Sequence, residues 1–480
     1  MASLIEPLID QCPVRWQAIH HPQSIALKDE NHSLSYGQFD RLLTNLQIQL
    51  TPQIKKNEPV RLVCIASNSL ELLSLQLLCI RQGWLFCPLN PRFTDIEIQQ
   101  RLSILSSPYC WVSSDSVHQQ VKSLNIHFSV ALKEEVVVNN PPLQLIMVNS
   151  EQPCSIIFTS GSSGFPKAIV HHYKNHFFSA LGSQQLIPLI KGDHNLLSLP
   201  LFHIGGYATV IRSVIAGACI HLTVAPLNLA VLEKSRITHL SLVSTQLIRL
   251  LAEPNFKARE TSIKHILLGG SAFPPHLLTE LASRNFNYHL SYGCTEMASQ
   301  VATSQNNTQL KVLPYRQVKI QANNIYLRGE TRFLGYFKDL SINYIDPEQW
   351  IEIGDMGKIT NNTLAVLGRK DRQFISGGEN IVPEEIEQIC LQQPSVKQAY
   401  ILPINDAQYG QRIAIFIAFV EKESTNFEQQ KRILRQYLNT HLTSFKRPDL
   451  YLPWPKINNS NMLKVPKQAF QAILHGKGLI

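Results

Sequence analysis

Residues 156–172 read Ile-Ile-Phe-Thr-Ser-Gly-Ser-Ser-Gly-Phe-Pro-Lys-Ala-Ile-Val-His-His. An apolar run is followed by hydroxyls and glycines, then Pro166-Lys167, then a second β-branched run, which predicts a strand, a loop and a strand. Gly161 and Gly164 free the backbone to aim several N–H groups one way. Thr159, Ser160, Ser162 and Ser163 add hydroxyl donors and Lys167 a charge. That is the donor set a phosphate chain requires. The spacing is not that of a P-loop, because Lys167 follows no glycine and no hydroxyl residue follows Lys167. A solvated Ser/Gly turn shares this composition, but such turns seldom lie between two apolar β runs.

Outward from this stretch, strands and helices alternate. Residues 23–28, 60–66 and 84–88 read as strands. Ser35 with Gln38, and Thr94 with Glu97, have the spacing of capping boxes, and Gly83 can close a Leu-rich helix over 69–82. After the loop, strands are expected at 239–243, 263–268 and 289–292, followed by Gly269-Gly270-Ser271-Ala272 and Gly293-Cys294-Thr295-Glu296. The fold class expected is α/β with parallel-rich sheets covered by helices, and ligands bind such sheets at strand C-terminal ends. Past about residue 310 shorter alternating strands predict a β subdomain. From Gln373 a compact α+β unit follows, which puts a domain boundary at Asp371: 1–370 and 371–480.

A chain of 480 residues is too long for one growing core, and 44% hydrophobic with 16% charged residues indicates a folded globular protein. The formal charge of +9 is not gathered into a basic run or an aromatic-interleaved stripe. Anionic small molecules are therefore favoured over nucleic acid. Nine scattered cysteines without a Cys-x-x-Cys pair read as reduced buried thiols of a cytoplasmic protein. The longest apolar segment, 204–222, is interrupted by Arg212 and glycines, so no membrane span is expected. Oligomeric state is not set by the sequence, and a homodimer stays open.

Several stretches together resemble the adenylate-forming enzymes, which include acyl-CoA and aryl-CoA ligases: Thr159–Lys167, Leu201–Gly205, Ser291–Glu296, Trp350–Asp355, Gly368–Asp371 and Ser376–Glu387. Within that family, Leu-Phe-His-Ile-Gly-Gly at 201–206 with Arg212, residues 241–251 and residues 374–387 are similar to the o-succinylbenzoate–CoA ligases of menaquinone biosynthesis. The resemblance implies a large N-terminal adenylation domain and a small mobile C-terminal domain. It also implies a two-step reaction with ATP, Mg²⁺ and coenzyme A, in which 2-succinylbenzoate is first joined to AMP and then passed to the CoA thiol. Another acyl- or aryl-CoA ligase shares these motifs. A stand-alone amino-acid adenylation module fits less well, since Phe202-His203 stands where such modules often carry an aspartate.

The same resemblance assigns roles. Thr159–Gly164 and Lys167 would take the phosphates, Thr295 and Glu296 phosphate and Mg²⁺. Gly269, Gly270, Ser271, Ala272, Ser291, Tyr292 and Gly293 would form the adenine pocket. Asp355 would accept both ribose hydroxyls, and Arg369 would contact ribose or phosphate. Arg212 would hold the carboxylate that is not activated, a task suited to a guanidinium fork, although an arginine at a helix surface reads the same way. His203 would line the acyl pocket, or serve as a hydrogen-bonded core histidine. Asp371 would be the hinge, Gly377 and Gly378 the CoA tunnel, and Lys464 the catalytic lysine, with Lys456 and Lys467 as competitors.

Overall fold

The computed structural model describes residues 8–54, 59–107, 109–113, 143–159, 166–223, 226–271, 273–376, 379–406, 409–420, 426–455 and 467–480. Among them two large sheets carry the structure. In the seven-stranded sheet, Tyr109–Val112, Arg61–Ile65, Leu85–Leu89 and Pro153–Thr159 run parallel. Lys167–His172, Gly335–Lys338 and Ser341–Tyr344 then continue antiparallel. Leu85–Leu89 is buried at every position, which explains its unbroken apolar run: both faces of a parallel sheet are covered.

The thirteen-stranded sheet changes character midway. Leu27–Lys28, Cys219–His221, His194–Leu196, His239–Leu242 and His265–Leu268 pair in parallel, and Tyr288–Cys294 joins them. On its other side Tyr288–Cys294 pairs antiparallel with Ser299–Thr303, and the antiparallel part continues through Ile351–Thr360 and Thr363–Arg369. The change thus begins before residue 310, and the antiparallel strands extend the parallel sheet itself. Tyr288–Cys294 also runs through Gly293, two residues beyond the expected stop. A Cβ on Gly293 would meet the Ser299 carbonyl oxygen at 1.9 Å, so the glycine is there for close strand approach rather than to end the strand.

Local signals act where the sequence places them. Ser35 and Gln38, and Thr94 and Glu97, close capping boxes on Tyr36–Leu50 and Asp95–Leu105. Gly83 ends Leu70–Gln82 with φ of 67°. All nine cysteines are free thiols, and eight are buried. After Asp371, a three-stranded sheet of Val396–Asp406, Gly410–Phe419 and Leu450–Pro453 packs with Pro383–Leu391, Phe427–His441 and Lys467–His475. No described helix is long and apolar enough to cross a membrane.

Candidate active site

The hairpin of Pro153–Thr159 and Lys167–His172 sets Thr159 opposite Lys167, so the two ends of the Ser/Gly loop meet as the sequence predicts. Lys167 is exposed, with its Nζ 5.6 Å from the Tyr336 ring centroid. Ser160, Gly161, Ser162, Ser163 and Gly164 lie outside the described residues, as does Ala272.

Across from the hairpin, Tyr288–Cys294 delivers Ser291, Tyr292 and Gly293 and then a single 3₁₀ turn, Thr295–Met297. Gly269 lies beside Ser291, where a Cβ added to the glycine would stand 3.9 Å from the Ser291 Cβ, and Gly270 adopts φ of 85° while Ser271 is exposed. The Tyr292 hydroxyl donates to Asp355 Oδ2 at 2.6 Å. Arg369, cross-strand partner of Asp355, donates to Oδ1 at 3.0 Å. The rest of the Arg369 fork grips Asp371 through two bonds of 3.1 Å. Burial and the Asp355 charge push the Tyr292 phenol well up, so it remains a donor. The Asp371 bonds, above all, hold Arg369 protonated.

Glu296 belongs to the same group of charges. Desolvation raises its pKa, Asp355 adds to the rise, and Lys167 and Arg369 oppose it. A carboxyl displaced upward by burial is one that a nearby cation would stabilise in its charged form. Among the described residues no three His, Cys, Asp or Glu side chains gather into a metal site. The Glu296 carboxylate and the adjacent Thr295 hydroxyl are hard oxygen donors of the kind that suits Mg²⁺, whose other ligands would be phosphate oxygens and water.

His203 is exposed at the N-cap of Ile204–Ala216, its ring 4.8 Å from that of Phe202. Arg212, on the same helix, donates to Gln300 Oε1 (3.3 Å), Thr209 Oγ1 (3.1 Å) and Ser241 Oγ (3.4 Å). All three acceptors are neutral, and desolvation pushes the guanidinium down to about 10. No ion pair reaches it among the described residues. Gln300 also donates to Thr303 and accepts from Arg316 through its carbonyl. Sequence reasoning missed Gln300, because an isolated glutamine in an unremarked strand carries no motif.

Beyond Asp371, Arg372 bonds Glu384 at 2.9 Å and Glu387 at 2.6 Å. The charge of Lys467 helps hold the Asp371 carboxyl down, behind the larger effect of Arg369. Lys464, Lys456, Gly377 and Gly378 lie outside the described residues.

The chain is similar to several known proteins. The 2-succinylbenzoate–CoA ligase of Escherichia coli is 36% identical over 324 residues, covering 66% of this chain and 68% of that protein. The Haemophilus influenzae ligase of the same name is 32% identical over 399 residues, with 82% of each covered. Among solved structures, E. coli MenE with a bound phenylether-linked analogue of OSB-AMS superposes with a TM-score of 0.78 at 28% identity, over 97% of this chain and 99% of that one. The Bacillus subtilis o-succinylbenzoate CoA synthetase in complex with its acyl-adenylate intermediate gives 0.80 at 25% identity, over 96% of each. The family described as AMP-binding enzyme matches residues 14–331, a span that includes the hairpin, the Thr295–Met297 turn and Arg212, and the chain belongs to that family.

Proposed function

We propose that this chain is an ATP-dependent ligase that adenylates 2-succinylbenzoate and transfers the acyl group to coenzyme A. A carboxylate oxygen attacks the α-phosphorus of ATP and pyrophosphate leaves. The CoA sulfur then attacks the acyl carbon, its proton is lost, and AMP leaves. The obstacle in the first step is the approach of two anions, so the site must supply positive charge and hold the reactants in line. Lys167 and the loop donors serve the β- and γ-phosphates, Tyr292 and Gly269–Ala272 the adenine, and Asp355 with Arg369 the ribose. Glu296 and Thr295 would hold Mg²⁺, which would supply further neutralisation of phosphate charge.

The observation that carries the choice of acid is Arg212, a desolvated guanidinium with three neutral acceptors. An arginine cannot discard its charge, so a second carboxylate on the substrate is the complement it lacks. His203 lines the entrance to the same pocket. The division into 1–370 and 371–480, with Asp371 as hinge, Lys464 as catalytic lysine and Gly377-Gly378 beside CoA, belongs to this reading, as does a cytoplasmic setting. The test is pyrophosphate release and thioester formation with 2-succinylbenzoate, MgATP and CoA. Saturating turnover on medium-chain fatty acids, with none on 2-succinylbenzoate, would overturn it.

A further inference from the structure

His171 is fully buried, and its Nε2 lies 2.8 Å from the carbonyl oxygen of Thr295, 124 positions along the chain. A carbonyl only accepts, so the imidazole proton sits on Nε2 and the ring donates. Its Nδ1 has no partner among the described residues. Burial, which pushes the ring down to about 3, keeps it neutral.

The acceptor belongs to the short turn that presents Thr295 and Glu296. Directly after that turn Ala298 and Ser299 take φ of 50° and 105°, conformations that non-glycine residues hold only when their surroundings enforce them. Three donors from separate elements do so. His171 holds the Thr295 carbonyl, the Phe333 N–H holds that of Glu296 at 2.8 Å, and the Ser179 hydroxyl holds that of Ala298 at 2.6 Å. Of these only His171 shares a strand with Lys167. Side chains two and four positions along a strand share a face, so Lys167, Ile169 and His171 point the same way, and Ile169 belongs to the same hydrophobic cluster as Met297 of the turn.

We propose that His171 is a positioning residue that fixes the Thr295–Met297 turn relative to the Lys167 strand, so that both arms of the phosphate site keep one spacing. This rests on the assignment of Thr295 and Glu296 to phosphate and Mg²⁺ made above. The carbonyl bond carries no charge to the nucleotide, so its loss should act on ligands that span both arms and spare those that touch neither β- nor γ-phosphate positions.

The experiment compares dissociation constants of MgATP and AMP for the full chain by calorimetry. His171→Met, similar in length but without a donor, should weaken MgATP by about tenfold or more, the scale of a lost supporting hydrogen bond at a metal site. AMP should change by less than about twofold, whereas His171→Gln, which keeps an N–H donor, should restore most of the MgATP affinity. If His171→Met folds poorly, His171→Phe serves, since it can still pack on the His176 ring 4.9 Å away. Equal weakening of MgATP and AMP, or unchanged MgATP binding, overturns the role of His171. Glu296→Gln, run alongside, separates the two claims. Unchanged MgATP binding there overturns the assignment of the turn and this inference with it, while a loss in Glu296→Gln without one in His171→Met overturns His171 alone.

Discussion

Two arginines on helices of the N-terminal part, Arg81 and Arg212, solve the same problem in opposite ways. Arg81 has no exposed side-chain surface, and it donates to Asp40 at 2.5 Å, to Cys12 Sγ at 3.2 Å and to Thr44 at 3.3 Å. Burial opposes its charge, but Cys12 and Asp40 more than offset this and its pKa is raised. Arg212 is half-buried by its surface and its guanidinium is desolvated with no offset, so it falls to about 10. Buried histidines take a third route and give up the charge, which a guanidinium does not do in a protein. The contrast separates a charge neutralised by a carboxylate of the fold from one that meets only neutral acceptors.

The largest effect is expected where the fold supplies the counter-ion. Asp40→Ala leaves Arg81 buried without its carboxylate and should cost about 3–5 kcal/mol, read as a drop in the urea midpoint. Asp40→Leu with Arg81→Met should recover much of that loss, since Arg15, the other partner of Asp40, retains some exposure and can turn toward water. A small effect of Asp40→Ala would mean that Cys12 and Thr44 alone compensate Arg81, and the contrast with Arg212 would lose its basis.

Arg212→Ala should behave in the opposite way. Losing the partner of a desolvated carboxylate should lower kcat/KM for 2-succinylbenzoate by about 2–5 kcal/mol of transition-state stabilisation. An aromatic acid with a single carboxylate should be used almost as well as before, and the urea midpoint should hold or rise. Equal losses with both acids would make Arg212 a structural residue like Arg81.

Neither arginine's situation could be read from the sequence. Asp40 and Arg81 are 41 positions apart and meet through the packing of two helices, while the acceptors around Arg212 come from its own helix and two separate strands. What the sequence does carry is local. The unbroken apolar run of Leu85–Leu89 marks a strand covered on both faces, Ser35 and Thr94 mark helix starts, and Thr159 with Lys167 mark the two ends of a loop. Ser299–Thr303 was missed because Ser-Gln-Val-Ala-Thr lacks clear alternation and its start depends on a left-handed Ala298. His171 was legible only as part of a β-branched run, since its acceptor at Thr295 is set by tertiary structure.

Histidines offer a graded test of the third route. Burial pushes His289 from 6.5 down to about 4, with the neighbouring His265 adding to the shift. Between those values the unfolded chain binds a proton that the folded chain refuses, so stability is present above pH 6.5 and is lost as pH falls toward 4. His289→Gln should remove about one proton from that dependence, a slope change of up to about 1.4 kcal/mol per pH unit. It is measured from thermal midpoints across pH 4–7 and is independent of any overall loss of stability. An unchanged slope would mean that His289 takes up its proton in the folded state too.

The smallest effect is expected at Asp355, a carboxylate with two donors in place. Tyr292→Phe removes the 2.6 Å hydroxyl contact but leaves Arg369 at 3.0 Å, so the carboxylate stays paired, unlike Arg81 in Asp40→Ala. The cost should be that of one net hydrogen bond, about 0.5–1.5 kcal/mol, seen as a loss in AMP affinity of roughly tenfold at most. The phenyl ring keeps its stacking face, so adenylate formation should persist. Complete loss of adenylation in Tyr292→Phe would instead show that Arg369 cannot hold Asp355 alone. Its fork is shared with Asp371, and the Asp355 carboxylate would then depend on the hydroxyl to keep its orientation.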